Sequence, residues 1–285
     1  MIKDYYYVTK PGIIRGNALT LIAGFMIASK YTSIDLPLLL VTLIGSCLVV
    51  AASCVLNNVI DRRIDKLMAR TKDRALVKKR ISVKAALIYA SVLGLLGITI
   101  LVLFVNLLTA ILGILGAFLY VVVYSYFKRQ SSAGTLVGSL SGSLPPVAGY
   151  TAVANNIDST AVVLFLSLAC WQMAHFYAIA MYRQKDYKQA KVPVLPVVKG
   201  NTRTKISTLF YILAFAISCT VLYIMSLINE VSLIVFVLLA SAWICYGLIK
   251  FNSLDNIIWG KNMFLMSLIA VSLWCLILSV NGLIT

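Results

Sequence analysis

The chain has 285 residues, 61% of them hydrophobic and 12% charged. With a mean hydropathy of +0.95 and apolar runs from end to end, it is not a soluble globular domain, where apolar residues make up about 45–50%. The formal charge of +16 comes from 25 Lys and Arg against 9 Asp and Glu. In a soluble protein this would suggest nucleic acid. Here no nucleic-acid-binding pattern is visible, and the excess reads as the positive charge of cytoplasmic loops, with anionic lipid or substrate second.

Nine spans are predicted, at 13–31, 36–57, 83–105, 108–126, 134–154, 159–182, 205–228, 231–250 and 262–283. Each is near the ~20 residues a helix needs to cross the hydrocarbon. The polar segment before the first span carries Lys3 and Lys10. No small-residue cleavage site follows that span, so it is expected to stay as a membrane helix. Of the Lys and Arg residues, only Lys30 falls on the outer side of this arrangement. The asymmetry places the N-terminus inside and the C-terminus outside. Two inside segments are long, 58–82 and 183–204. Spans one to four and five to eight share this plan. The expected fold is therefore an all-α membrane protein of nine transmembrane helices: two four-helix quasi-repeats plus one C-terminal helix, in a single domain, 1–285. Transporters also use repeats, so the plan does not choose a function. The six cysteines lie in apolar runs without a C-x-x-C and read as small buried hydrophobes rather than disulfides or metal ligands.

The first chemistry-bearing stretch follows span two. Asn57, Asp61 and Asp65 are spaced i, i+4, i+8, so on a helix they share one face, drifting about 40° per step over roughly 12 Å. Amide and carboxylate oxygens suit a hard cation such as Mg²⁺, which binds through one or two carboxylates plus substrate phosphates. The row could thus hold a metal–diphosphate at the membrane boundary; the plain alternative is a solvated helix end. Arg62, Arg70, Lys72, Arg74, Lys128 and Lys185 could clamp phosphate oxygens, or could merely hold topology.

Span four ends with Tyr120 and Tyr124, either an aromatic belt or part of a site. In span five, Gly134, Gly138 and Gly142 leave one face almost without side chains. That face suits close helix packing or a smooth wall beside a flat ligand, and Pro145-Pro146 should kink the helix. Span six carries His175, the only histidine, beside Gln172. An ionisable group deep in a membrane helix is expensive and points to function, as base, cation stabiliser or metalloporphyrin contact. Tyr182 and Asp186 are again i, i+4. Asp186 is the only acid in the second long inside segment, so it could supply the opposing half of the metal site or pair with Arg183 or Lys185.

Asn57-x-x-x-Asp61-x-x-x-Asp65 resembles the first aspartate motif of the UbiA superfamily of intramembrane prenyltransferases. Val8-Thr9-Lys10-Pro11-Gly12, Met68-x-Arg70-Thr71-Lys72-x-Arg74, Tyr124 to Arg129, and Gly138 to Gly142 with Pro145-Pro146 follow the same resemblance. Trp171-Gln172-x-x-His175 and Pro193-Val194-Leu195-Pro196 are similar to its haem-farnesylating branch. Most of the first 200 residues are covered, and the remainder only by hydropathy. The second aspartate-rich motif of relatives that prenylate aromatic rings is reduced here to Asp186, and His175 stands where an acid often does. The resemblance implies that Asn57, Asp61, Asp65 and Asp186 hold Mg²⁺, which binds the diphosphate of farnesyl diphosphate. It implies substrate contacts from Asn57, Arg70, Lys72, Arg74, Lys128, Lys185 and Asp186. The catalytic residues it implies are Asp61, Asp65, His175 and Tyr124, with His175 and Tyr124 near the acceptor. Haem b is implied as substrate rather than prosthetic group, and haem O as product. Further expectations are a bacterial cytoplasmic (inner) membrane location, contact with the lipid bilayer, and a downstream haem-modifying enzyme or terminal oxidase as partner. An aromatic prenyltransferase making a quinone precursor, or a transporter for an organic anion or haem, are the competing functions.

Overall fold

A computed structural model of the chain describes residues 2–284. Among them there is no strand. In chain order the helices are α1 (Ile2–Val8), α2 (Pro11–Ala28), α3 (Leu36–Asp65), α4 (Val83–Phe104) and α5 (Leu107–Phe118). A π-helical segment (Leu119–Tyr124) leads into α6 (Ser125–Gln130), followed by α7 (Gly134–Gly142), α8 (Leu144–Ala154), α9 (Ser159–Tyr182), α10 (Gln184–Gln189) and α11 (Leu195–Val198). The chain closes with α12 (Gly200–Ile224), α13 (Glu230–Ile249) and α14 (Asn256–Leu283).

Local chemistry sets several of the boundaries. Asp35, Ser82, Asn106, Asp158, Asn229 and Asp255 each accept a hydrogen bond from a backbone N–H in the first turn of the helix that follows. They supply the side-chain caps that helix starts require. Among the described residues eight helices, with the run 107–130 taken as one, are long and apolar enough to cross a membrane. The protein is therefore an integral membrane protein. The expected fifth span, 134–154, is instead the pair α7 and α8, broken at Ser143. Pro145 and Pro146 open α8. Neither has an N–H to continue the α7 hydrogen-bond ladder, so the Ser141 and Gly142 carbonyls lose their i+4 donors; Ser143 Oγ adds a bond of 2.6 Å to the Ser139 carbonyl that the Ser143 N–H already meets. α3 runs eight residues past its expected end, to Asp65, so its charged stretch is helical rather than loop.

α3 packs on α4, α2 against α8 and α14, and α9 against α12 and α14. The tightest approach is backbone on backbone. A Cβ on Gly24 of α2 would stand 1.9 Å from the Pro146 carbonyl oxygen of α8, and one on Gly149 of α8 would stand 2.0 Å from that of Leu21. Trp243, Trp259 and Trp274 are fully buried in the largest apolar cluster, with Phe215, Phe236 and Leu278. Leu95, Leu103, Leu238 and Ile249 stay exposed, as side chains facing lipid do. The cysteines divide: Cys54, Cys219 and Cys275 are buried, Cys47 and Cys170 partly so, and Cys245 is exposed. The expectation that all six lie inside is corrected at Cys245, because the outer face of a membrane helix is as hospitable to a small apolar side chain as the core.

Candidate active site

A cavity of about 580 Å³ runs between α2, α3, the π segment, α7 and α9. Asn57, Asp61 and Asp65 all line it, and they are only 2%, 6% and 3% exposed. That burial removes the solvated-helix-end reading. The helical register of α3 puts the three side chains in a row, as the i, i+4, i+8 spacing predicts.

Each member of the row is met by a cation. Lys10 Nζ donates to Asn57 Oδ1 at 2.6 Å. Lys128 donates to Asp61, and Arg129 lies 3.5 Å from its second oxygen. Arg74 Nη1 lies 2.7 Å from Asp65 Oδ2 and also donates to Asn58 Oδ1 at 3.0 Å. The Asp65 carbonyl accepts from Thr71 Oγ1 at 2.8 Å, which folds the following turns back on the helix end. Arg70 completes the basic wall. Lys10, Arg70, Arg74 and Lys128 thus face two carboxylates in the cavity, a positive balance suited to a polyanionic phosphate ester.

Lys10 was read from the sequence only as topology charge and as part of a motif. It lies 47 residues from Asn57, and only the fold brings them together. Its backbone is left-handed (φ 54°, ψ 68°) at the start of α2, an uncommon conformation for a residue with a Cβ. Its ammonium also donates to Tyr120 Oη at 3.2 Å. Burial pushes its pKa down to about 8. The sequence signal for it was the Thr9-Lys10-Pro11 junction, where Pro11 fixes the first turn of α2.

Tyr120 and Tyr124 line the cavity with their rings stacked 5.7 Å apart, so they are not an interfacial belt. Lys128 Nζ sits 5.0 Å over the Tyr124 ring. The π segment that carries both is the kind of local widening that π-helical turns often provide at functional sites. Gly138 and Gly142 line the cavity and are also packed: a Cβ would stand 3.1 Å from the Tyr124 ring and 2.4 Å from the Gln172 amide. His175, Gln172 and Trp171 form the part of the wall contributed by α9. Lys72, Lys185 and Asp186 do not line the cavity. Lys72 and Lys185 are exposed, and Asp186 is half-buried on α10. Among the described residues no three acidic, histidine or cysteine side chains converge on one point, so Asp186 does not join Asp61 and Asp65.

The donor set fits a hard divalent cation. Asp61 Oδ1 is buried and has no hydrogen-bond partner among the described residues, and the row offers oxygen ligands only. Two carboxylates and one amide leave room for waters and phosphate oxygens, as Mg²⁺ prefers.

Known proteins resemble the chain along almost its whole length. Curated proteins of Yersinia pseudotuberculosis and Pectobacterium carotovorum, both called protoheme IX farnesyltransferase, are each 47% identical to the chain. Each match covers 99% of the chain and 95% or 96% of the relative. The fold is similar to that of a digeranylgeranylglyceryl phosphate synthase (TM-score 0.79, 19% identity, 99% and 98% of the two chains). It is also similar to a UbiA homologue from Archaeoglobus fulgidus bound to GPP and Mg²⁺ (TM-score 0.68, 17% identity, 97% and 99%). A buried row of oxygen ligands ringed by cations is what a membrane enzyme handling a prenyl diphosphate requires, and residues 17–281 match the family model that describes such enzymes: the chain belongs to the UbiA prenyltransferase family.

Proposed function

We propose that the chain transfers the farnesyl group of farnesyl diphosphate to a vinyl group of haem b, with addition of water, giving haem O. The carrying observation is the buried Asn57–Asp61–Asp65 row among four cations, taken with relatives named for this activity along nearly their whole length. Asn57, Asp61 and Asp65 would hold Mg²⁺. When bound, the ion would neutralise charge on the diphosphate and make it a better leaving group. Lys10, Arg70, Arg74 and Lys128 bind the phosphate oxygens and stabilise the negative charge that grows as the allylic C–O bond breaks. The terminal vinyl carbon of haem then forms a bond to the farnesyl cation. Water adds to the adjacent carbon, and its proton goes to the departing diphosphate. The apolar part of the wall, with Leu112, Leu144, Leu168 and Val271, keeps bulk water from the cation until the acceptor is in place. Tyr124, over which Lys128 sits, and His175 are assigned to the acceptor side.

Asp186, next in sequence to Tyr187 of the wall, and Lys72 and Lys185, each two residues from a wall residue, are assigned a supporting role outside the primary shell. The α7–α8 pair is taken as the fifth of nine spans, with two four-helix quasi-repeats in one domain. The N-terminus lies on the cytoplasmic side of a bacterial inner membrane and the C-terminus outside. A downstream haem-modifying enzyme or terminal oxidase receives the product. The test is incubation of purified, detergent-solubilised protein with farnesyl diphosphate, Mg²⁺ and haem b. The expected product carries a farnesyl-plus-water mass increment. Prenylation of an aromatic quinone precursor with haem left unchanged would overturn the assignment.

A further inference from the structure

The hydrogen-bond network around His175 fixes which of its nitrogens is free. Ser267 of α14 has one hydroxyl hydrogen. Its Oγ lies 2.6 Å from the Phe264 carbonyl oxygen, which can only accept, so that hydrogen is committed there. The same Oγ lies 2.7 Å from His175 Nδ1, and with its hydrogen spent it can only accept. His175 therefore carries its proton on Nδ1, and Nε2 holds a bare lone pair. Among the described residues nothing hydrogen-bonds Nε2. The ring is held on several sides: stacked on Trp171 at 4.8 Å, and 5.0 Å and 5.7 Å from Phe264 and Phe176. Trp171 is anchored in turn by its Nε1–H, which donates to the Ser267 carbonyl at 2.7 Å. His175 lines the cavity, so its free nitrogen serves whatever occupies that space.

We propose that His175 Nε2 is an axial ligand to the iron of a metalloporphyrin acceptor, and that Ser267 is the residue that positions it. This rests on haem being the acceptor, as proposed above. A neutral imidazole whose other N–H is tied to an oxygen acceptor is the usual arrangement of a metal-ligating histidine. The rival use of the lone pair, taking a proton from water, is less well served. It would create an imidazolium facing a neutral serine, while the nearby carboxylates are engaged by Lys128 and Arg74. Ligation leaves the ring uncharged. It also anchors the centre of a flat acceptor beside α9, and rotation about the iron–nitrogen bond, with it the choice of vinyl group, is left to the other walls of the cavity.

The experiment titrates full-length, detergent-solubilised protein with iron protoporphyrin IX and with metal-free protoporphyrin IX. Absorption and fluorescence are followed, and Mg²⁺-dependent farnesyl diphosphate binding is measured in parallel. Wild type is expected to show a nitrogen-ligated iron spectrum and to prefer the iron porphyrin. H175A should lose both while still binding farnesyl diphosphate, and added imidazole should restore the spectrum. S267A should bind the iron porphyrin at least about tenfold more weakly with unchanged affinity for the metal-free one, and S267T should recover. Wild-type protein that farnesylates haem without a nitrogen-ligated spectrum, or farnesylates metal-free porphyrin equally well, overturns the ligand assignment alone and needs no variant. Wild-type protein that neither binds nor farnesylates haem overturns the proposed function, and the ligand assignment with it.

Discussion

Replacing Gly24 with alanine tests whether α2 and α8 meet backbone to backbone. The new methyl carbon would stand 1.9 Å from the Pro146 carbonyl oxygen, 2.7 Å from its carbonyl carbon and 2.9 Å from its Cα. Ordinary contact begins near 3.4 Å, so the helices must part by about 1.5 Å. No side-chain rotation can relieve this, because the obstructing atoms are main chain. Overpacking of this kind costs up to about 3 kcal/mol, and the better helix propensity of alanine returns about 1 kcal/mol. The net loss of ~2 kcal/mol corresponds to roughly a 30-fold drop in the folded-to-unfolded ratio. Gly94→Ala, where the methyl would meet only the Ala52 Cβ at 3.4 Å, should cost nothing. Thermal unfolding in detergent reads both variants, followed by the rise in maleimide-reactive cysteines above the exposed Cys245 as buried Cys54, Cys219 and Cys275 are uncovered. Because α2 carries Lys10 at its start, residual folded Gly24→Ala protein should also bind farnesyl diphosphate less tightly. A Gly24→Ala protein as stable as Gly94→Ala would refute the close approach and the account of how α2 is seated.

Asp61→Asn and Asp65→Asn should each lower Mg²⁺-dependent haem farnesylation by at least about 100-fold, measured as product mass over time. Unchanged turnover would contradict the metal–diphosphate assignment. Lys10→Met should raise the KM for farnesyl diphosphate by about tenfold or more, the loss of one charge-assisted hydrogen bond. Lys30→Met, whose ammonium instead meets the Ser226 and Leu227 carbonyls, should leave kinetics unchanged. Asp186→Asn, off the cavity wall, should cost less than about tenfold. A loss equal to that of Asp61→Asn, by the same assay, would place Asp186 in the metal shell after all.

Much of the fold was legible because a bilayer leaves few choices. Capping residues such as Asp158 and Asn229 stand where the apolar runs begin, and the 159–182 span was read to the residue. The 134–154 span was read as continuous with a kink, whereas two adjacent prolines remove two successive ladder donors and divide it. The α3 row was legible because its three members sit on one helix, where spacing alone sets geometry. Lys10 was not, since three basic residues near the N-terminus look alike until the tertiary fold brings one of them to Asn57. Asp186 is the opposite case. Its chemistry suits a ligand, but a break at Arg183 separates α9 from α10 and leaves Asp186 off the cavity wall, and no local pattern shows which way a six-residue helix will turn.

The resting ion pairs of the α3 row have a bearing on the order of events. Lys128 and Arg74 already neutralise Asp61 and Asp65, and Lys10 already occupies Asn57. If a divalent ion arrived alone it would have to displace Lys128 and Arg74 from the carboxylates they already meet. A bare diphosphate would compete with carboxylates for those same cations. On the proposed function, a preformed metal–diphosphate pair would let both halves exchange partners at once: Asn57, Asp61 and Asp65 would hold the metal, and the ammonium and guanidinium groups would hold the phosphates. Such a lock would suit a key carrying both signs of charge, which would favour entry of the donor as its metal complex and discourage premature ionisation in an incompletely loaded enzyme.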